Sequence, residues 1–315
     1  MKKTPKKKTQ AWAMALLLVL LFAAAARAAD QPATTEPSPD KARKQSLTAI
    51  NKALTDPVSE AWSISFLQNN FRISPGIGQG ERWNSNLMFQ GALPVALTPN
   101  WDLITRPSIS LFSSQPHPQP ENPSEIDRTT AFGDIVLLQL LSPRRDLTGK
   151  WLVGVGPTWL FPSGVSRWTT TGKWQVGPAA VFGYLSDKWI LAVLFQNWTS
   201  FGGSGPRAVN SMNLQPIATY FLPNGWSVGY SGNILANWKV SATNAYTVPI
   251  GLQVAKVVIL GPLPMRIALG AQWMPVHPAS FGQVWNAQLS VQILRPKLLR
   301  GYLSDPSSLR FRWEE

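Results

Sequence analysis

The 315-residue chain holds two histidines and no cysteine, which leaves little for chemistry. His117 stands between Pro116 and Pro118, and His277 between Val276 and Pro278, three residues before Ser280. A Cys/His metal site is excluded by this inventory. A Ser-His pair for acyl transfer is conceivable at Ser280 and His277. A hydrolase built on a membrane barrel, however, would set its histidine on a strand near the outer rim, held by Asn or Asp. Both histidines fall instead in connecting segments. Gly76-Ile77-Gly78-Gln79-Gly80 has the composition of a phosphate cradle, but Glu81 opens an extended segment and no helix follows to supply an N-terminus. Asn197-Trp198-Thr199 matches the glycosylation triplet, which carries no force here. The reading is of a protein that is not an enzyme and holds no cofactor or metal.

The residues with a role to play are polar ones spaced two apart among apolar ones. Asn84, Asn86 and Gln90 alternate with Trp83, Leu87 and Phe89, and Asp102 and Arg106 with Trp101 and Leu103. Alternation at period two places the two sets on opposite faces of a strand. If the apolar faces meet lipid, an enclosed lumen receives Asn84, Asn86, Gln90, Asp102, Arg106, Lys173, Gln175, Asn213, Gln215, Asn233, Lys256, Arg266 and Gln272. Arg106, Lys173, Lys256 and Arg266 outnumber Asp102 there, so the lumen is expected to favour anions. The competing reading is that these side chains bond one another and fill the barrel.

The elements that would position such residues follow from the punctuation. Segments at 60–72, 82–94, 100–112, 131–142, 150–161, 173–185, 188–198, 209–221, 225–238, 245–259, 263–274 and 283–294 are separated by short and long connections in strict alternation. Thr98-Pro99-Asn100, Leu185-Ser186-Asp187, Pro223-Asn224-Gly225 and Gly261-Pro262-Leu263 are tight-turn sequences. Short periplasmic turns, long extracellular loops and an even strand number describe an all-β, closed antiparallel transmembrane β-barrel of about twelve strands. Alternation is weakest in the fourth, fifth and seventh segments, where both faces are apolar.

Tryptophan supports the membrane reading. Trp62, Trp101, Trp151, Trp189 and Trp226 open segments after the leader or a short turn, and Trp83, Trp159, Trp174, Trp198, Trp238, Trp273 and Trp285 lie beside long loops. They form two girdles, one per interface, where amphipathic indoles prefer to sit. Charged residues make up only 14% of the chain, and after the N-terminus no apolar run is long enough for a spanning helix.

Residues 1–28 read as a signal peptide. Lys2, Lys3, Lys6, Lys7 and Lys8 precede an apolar run from Ala11, which closes on Ala26-Arg27-Ala28. Its removal takes six of the 29 Lys+Arg and none of the 16 Asp+Glu, so the net charge falls from +13 to +7, no footprint of nucleic-acid binding. Residues 29–56 are expected to be a disordered periplasmic leader with a short helix over 46–55, residues 57–294 the barrel, and 295–315 a C-terminal extension.

Several runs carry a resemblance: Gln68-Asn69-Asn70, Asn100-Trp101-Asp102-Leu103-Ile104-Thr105-Arg106-Pro107, Phe132-Gly133-Asp134, Gly172-Lys173-Trp174-Gln175-Val176-Gly177-Pro178 and Gln196-Asn197-Trp198-Thr199-Ser200-Phe201-Gly202. Over residues 57–294 the chain resembles an uncharacterised family of Gram-negative outer-membrane barrels named as transporters or "neuromedin U-like" proteins, related to outer-membrane proteins of the meta pathway of phenol degradation. The resemblance implies an outer-membrane barrel passing small, aromatic molecules and offers no catalytic residues. Expected partners are outer-membrane lipid, small-molecule solutes and the outer-membrane assembly machinery. The functional readings are a narrow passive channel, a non-conducting structural or surface-recognition barrel and, last, a hydrolase.

Overall fold

The computed structural model describes residues 39–74, 80–122, 124–261, 263–295 and 299–311. The signal segment, most of the glycine-rich loop and the terminal residues 312–315 lie outside them. Contacts divide the chain into Met1–Ala42 and Arg43–Glu315. Of the first unit only the opening of helix α1 (Pro39–Thr55) is described.

The second unit is a closed antiparallel barrel of twelve staves. Its strands are β1 (Trp62–Ser74), β2 (Arg82–Thr98), β3 (Trp101–Pro118), β4 (Ile126–Phe132), β5 (Ile135–Pro143), β6 (Trp151–Phe161), β7 (Trp174–Leu185), β8 (Trp189–Gly202), β9 (Asn210–Phe221), β10 (Trp226–Ser231), β11 (Ile234–Asn237), β12 (Tyr246–Leu260), β13 (Leu263–Val276) and β14 (Gly282–Arg295). The β4–β5 stave is interrupted at Gly133-Asp134 and the β10–β11 stave at Gly232-Asn233. Closure comes from β1, which pairs Ser65 with Gln90 on one side and with Gln292 on the other. A sheet closed on itself leaves no edge, the condition for crossing hydrocarbon with strands.

Alternation is realised as the sequence predicts. Along β1, Asn69 and Ile73 point inward and Phe66 outward; along β14, Asn286 and Ser290 point inward while Trp285 and Leu289 face out. Outside lies a band of exposed Phe66, Leu87, Phe89, Val155, Phe182, Leu252 and Leu269. Trp83, Trp174, Trp238, Trp273 and Trp285 border it at the long-loop end, Trp101, Trp151 and Trp226 at the short-turn end. The turn at Pro223–Gly225 needs left-handed backbone at Asn224 (φ 59°) and Gly225 (φ 75°), residue types that adopt it readily.

One expectation is corrected. The leader is not disordered through residue 45: α1 starts at Pro39, and its last two turns lie in the barrel mouth. Their stripe of Leu47, Ile50, Asn51 and Leu54, at helical spacing, buries itself against the barrel wall instead of remaining in water. The C-terminal extension forms a hairpin, β15 (Leu299–Tyr302) and β16 (Asp305–Phe311), whose Leu303 and Ser304 amides donate to Ala96 and Leu97 carbonyls at the short-turn end of β2. The last barrel strand is therefore β14.

Candidate functional site

The barrel interior has two unlike walls. On β1, β2, β13 and β14 the inward positions carry amides, and these bond one another across the strands. Asn69 Nδ2 donates to Asn86 Oδ1 (3.1 Å), while Asn69 Oδ1 accepts from Asn286 Nδ2 (3.1 Å) and Gln288 Nε2 (2.9 Å). Asn286 also donates to Gln272 (3.3 Å) and Asn84 to Gln115 (2.7 Å). Opposite, toward the short-turn end, β5–β9 turn Leu138, Leu140, Leu152, Val181, Ile190, Leu194, Ile217 and Phe221 inward, joined by Ile104 and by Val58, which follows the helix, while nearer the long loops β6–β8 carry Thr158, Gln175 and Gln196 inward. Three of these, β5, β6 and β8, are strands whose two faces are both apolar in the sequence: the outer face meets lipid and the inner one contributes to this cluster.

The short-turn mouth is occupied by α1. Asn51 is fully buried; its Nδ2 donates to the Gly225 carbonyl (3.0 Å), and its Oδ1 accepts from Arg266 Nε (3.0 Å) and Ser227 Oγ (3.4 Å). Arg266 donates as well to Gln292 Oε1 (2.9 Å), whose Nε2 donates to the Leu54 carbonyl (3.3 Å). Beyond the helix, the Asp56 carboxylate pairs with Arg145 of α2 (Arg145–Thr148), and Glu60 lies 3.7 Å from Arg144. Burial pushes the Asp56 carboxyl above its ordinary 3.8, against the pull of Arg145 and Arg106; burial likewise lowers the Lys52 ammonium, with Asp187 3.9 Å away opposing.

Strand parity and contacts place the predicted lumen residues as follows. Asn84, Asn86, Gln90, Asp102, Arg106, Gln175, Asn213, Gln215, Arg266 and Gln272 line the interior, Arg106 donating to Gln90 (3.1 Å). Asn233 lies at the stave interruption. Two lysines do not line it. Lys173 precedes β7 in the long-loop region and donates to Gly203 O (3.0 Å). Lys256 faces outward between buried Ala255 and Val257, its ammonium 4.8 Å from the Trp226 ring centre and donating to Asn224 O (2.8 Å). A lysine at the membrane rim bends its head toward water in this way. The basic lumen thus shrinks to Arg106 and Arg266 against Asp102.

Among the girdle residues, Trp62, Trp83, Trp101, Trp151, Trp159, Trp174, Trp189, Trp226, Trp238, Trp273 and Trp285 lie on outward positions. Trp198 does not. It is 8% exposed and inward, and its indole N–H donates to Thr158 Oγ1 (3.1 Å), which donates to Gln196 Oε1 (3.0 Å). Asn51, Asn69, Thr158, Gln196, Asn286, Gln288 and Gln292 are interior residues outside the predicted set. Two-residue spacing from Trp285 and Leu289 marks Asn286 and Gln288, and the helical stripe marks Asn51.

At the long-loop end, His117 lies on β3 and not in a connecting segment, buried beneath Trp168, the rings stacked at 4.4 Å, with Nε2 3.0 Å from Thr129 Oγ1; Arg167 covers the same indole at 4.7 Å. Asp134, at the β4–β5 interruption, accepts from the Gly164 and Thr171 amides and from the Thr170 and Thr171 hydroxyls, fastening the neighbouring loop. His277 Nδ1 lies 2.9 Å from the Pro278 carbonyl.

No protein-family model matches the sequence, and no protein of curated function does. Among solved structures, the chain is similar to the NanC porin (TM-score 0.44, 7% identity, covering 74% of this chain and 99% of that one). It is also similar to the Pseudomonas putida toluene transporter TodX (TM-score 0.37, 10% identity, 84% and 99%). With the COG4313 outer membrane channel from Pseudomonas putida F1 the TM-score is 0.53 at 12% identity, covering 83% of this chain and 99% of that one. At that identity the likeness is one of fold, and the fold is that of an outer-membrane β-barrel.

Proposed function

We propose that the chain, exported by its N-terminal signal segment, is an outer-membrane channel for small aromatic or anionic molecules, with α1 as the stopper of its periplasmic mouth. The observation that carries this reading is the divided interior. An apolar wall facing an amide wall suits a solute with an apolar body and a polar head, which neither a uniformly polar pore nor a uniformly packed core would favour. The resemblance in sequence to the transporter and meta-pathway barrels supports the same reading. Arg106 and Arg266 supply the positive potential inside.

The occupied mouth favours a second reading, a barrel that does not conduct and serves structure or surface recognition. Planar-bilayer recordings decide between them. The channel reading expects rare steps from the wild type and frequent, larger ones from Asn51→Ala, which removes that residue's three side-chain bonds to the wall. A correctly folded Asn51→Ala barrel that gives no steps would establish the sealed reading.

A further inference from the structure

The stopper is held by a side chain that occupies an oxygen site. Asn51 Oδ1 is the point on which Arg266 Nε and Ser227 Oγ converge, both donors, at 3.0 and 3.4 Å. Arg266 is 6% exposed and Ser227 1%. The remaining partner of Arg266 is the neutral Gln292 amide, and among the described residues no carboxylate lies within ion-pairing distance of it. A buried guanidinium without a counter-charge is an unfavourable arrangement, and a neutral amide oxygen relieves it only in part. Asp56 and Glu60, two acids that follow the helix, are engaged with Arg145 and Arg144.

Resting on the channel reading above, we infer that Arg266 and Ser227 form a binding site for the carboxylate of a small solute, and that the solute opens the mouth by displacing Asn51. A carboxylate would place an oxygen where Asn51 Oδ1 now sits and bring the missing negative charge. Phe221, paired with Ser227, and Val257, paired with Arg266, are buried apolar neighbours against which the rest of the molecule would lie once the helix is displaced. The helix competes with this ligand through a weaker version of the same contact, so occupancy and opening are linked.

The natural absence of cysteine allows a direct test. The full chain carrying Leu54→Cys is refolded in phospholipid vesicles, and its modification by a membrane-impermeant maleimide is timed. Sodium benzoate at constant ionic strength is expected to speed the reaction on the order of tenfold, the factor separating a charge-assisted from a neutral hydrogen bond. Benzyl alcohol and sodium chloride are expected to leave the rate unchanged. Arg266→Gln, which keeps a donor for Asn51, should abolish the benzoate effect. Asn51→Asp, which supplies the carboxylate from the helix itself, should slow the basal rate and raise the benzoate concentration required; it keeps the test decisive if Arg266→Gln fails to fold. No acceleration by benzoate, equal acceleration by chloride or benzyl alcohol, or a response that survives Arg266→Gln would overturn the site. Benzoate flux, followed in the same vesicles, separates the two readings. Acceleration without flux removes the channel and keeps the site, and flux without acceleration does the reverse.

Discussion

Replacing Asn69 by leucine asks whether the amide wall is a bonded structure or a set of side chains solvated one by one. Asn69 is 6% exposed and makes three side-chain bonds at 2.9–3.1 Å, one to Asn86 and two from Asn286 and Gln288. Each intramolecular bond of this kind contributes roughly 0.5–1.5 kcal/mol net, and in membrane proteins the average is nearer 0.6 kcal/mol. Three together give about 2 kcal/mol. Leucine is close to Asn in size and returns part of this by burying apolar surface. Asn286 keeps its bond to Gln272, whereas Gln288 and Asn86 lose their contacts with position 69. The expected net loss is about 1.5 kcal/mol, read as a lowered urea midpoint of the refolded barrel by tryptophan fluorescence. A cycle with Asn86→Ala should show coupling of about 0.5 kcal/mol or more between the two sites. A loss below about 0.3 kcal/mol without coupling would mean that lumen water replaces the bonds as they are removed, and the description of a bonded wall would fail.

Other perturbations probe separate parts of the barrel. Lys256→Ala should leave the ion selectivity of the conducting barrel unchanged, because its head group lies outside over Trp226, while Arg106→Ala should reduce anion preference; reversal potentials under a salt gradient distinguish the two. Trp198→Phe removes one buried bond to Thr158 and should lower stability by about 1 kcal/mol in the same urea assay, whereas Trp285→Phe, at the interface, should change it by less. Burial holds the Asp56 carboxyl above 3.8, so the folded state takes up a proton before the undocked leader does. The stability this gives is complete below 3.8 and lost as pH rises through the folded value. Hydrogen exchange of α1 amides, corrected for intrinsic rates, should therefore slow as pH falls toward 4, and Asp56→Asn should flatten that dependence.

The barrel was legible because its signals are local and repeated: alternation in β2, β3 and β13, and glycine- and proline-rich turns that enforce reversal. The misplacement of Trp198 has a physical cause. Where a strand is apolar on both faces, nothing in residue type says which way it points, and β8 is such a strand. Ile190, Ala192 and Leu194 on one side cannot be told from Leu191, Val193 and Phe195 on the other. Only Gln196 breaks the tie, and reading inward from it puts Trp198 in the lumen, beside a long loop though it is. Lys256 carries the opposite lesson. Its charge suggested an inward place, but Gln253, three residues away and inward, gives it the opposite parity. At a membrane rim parity outranks charge, since a lysine stem long enough to reach a turn carbonyl satisfies its ammonium from the lipid side.

The helix over 46–55 was expected, but its seat against the barrel wall was not, and the reason bears on what it does. Its contacts with the wall join residues more than 170 apart in sequence, as Asn51 is from Gly225 and Ser227, and no window along the chain contains both partners. Seen alone, a 17-residue helix following a polar, proline-rich stretch is marginal, because most helical stability in proteins comes from packing of one face. That face is narrow here, and its central residue is an asparagine where a leucine would bury more apolar area. An element meant only to seal the mouth would be expected to use the apolar residue and avoid setting a neutral amide against a buried guanidinium. On the proposed reading, holding the mouth through Asn51 makes closure depend on a neutral polar contact that an anion can take over, and a stopper that must yield to its own solute requires that dependence.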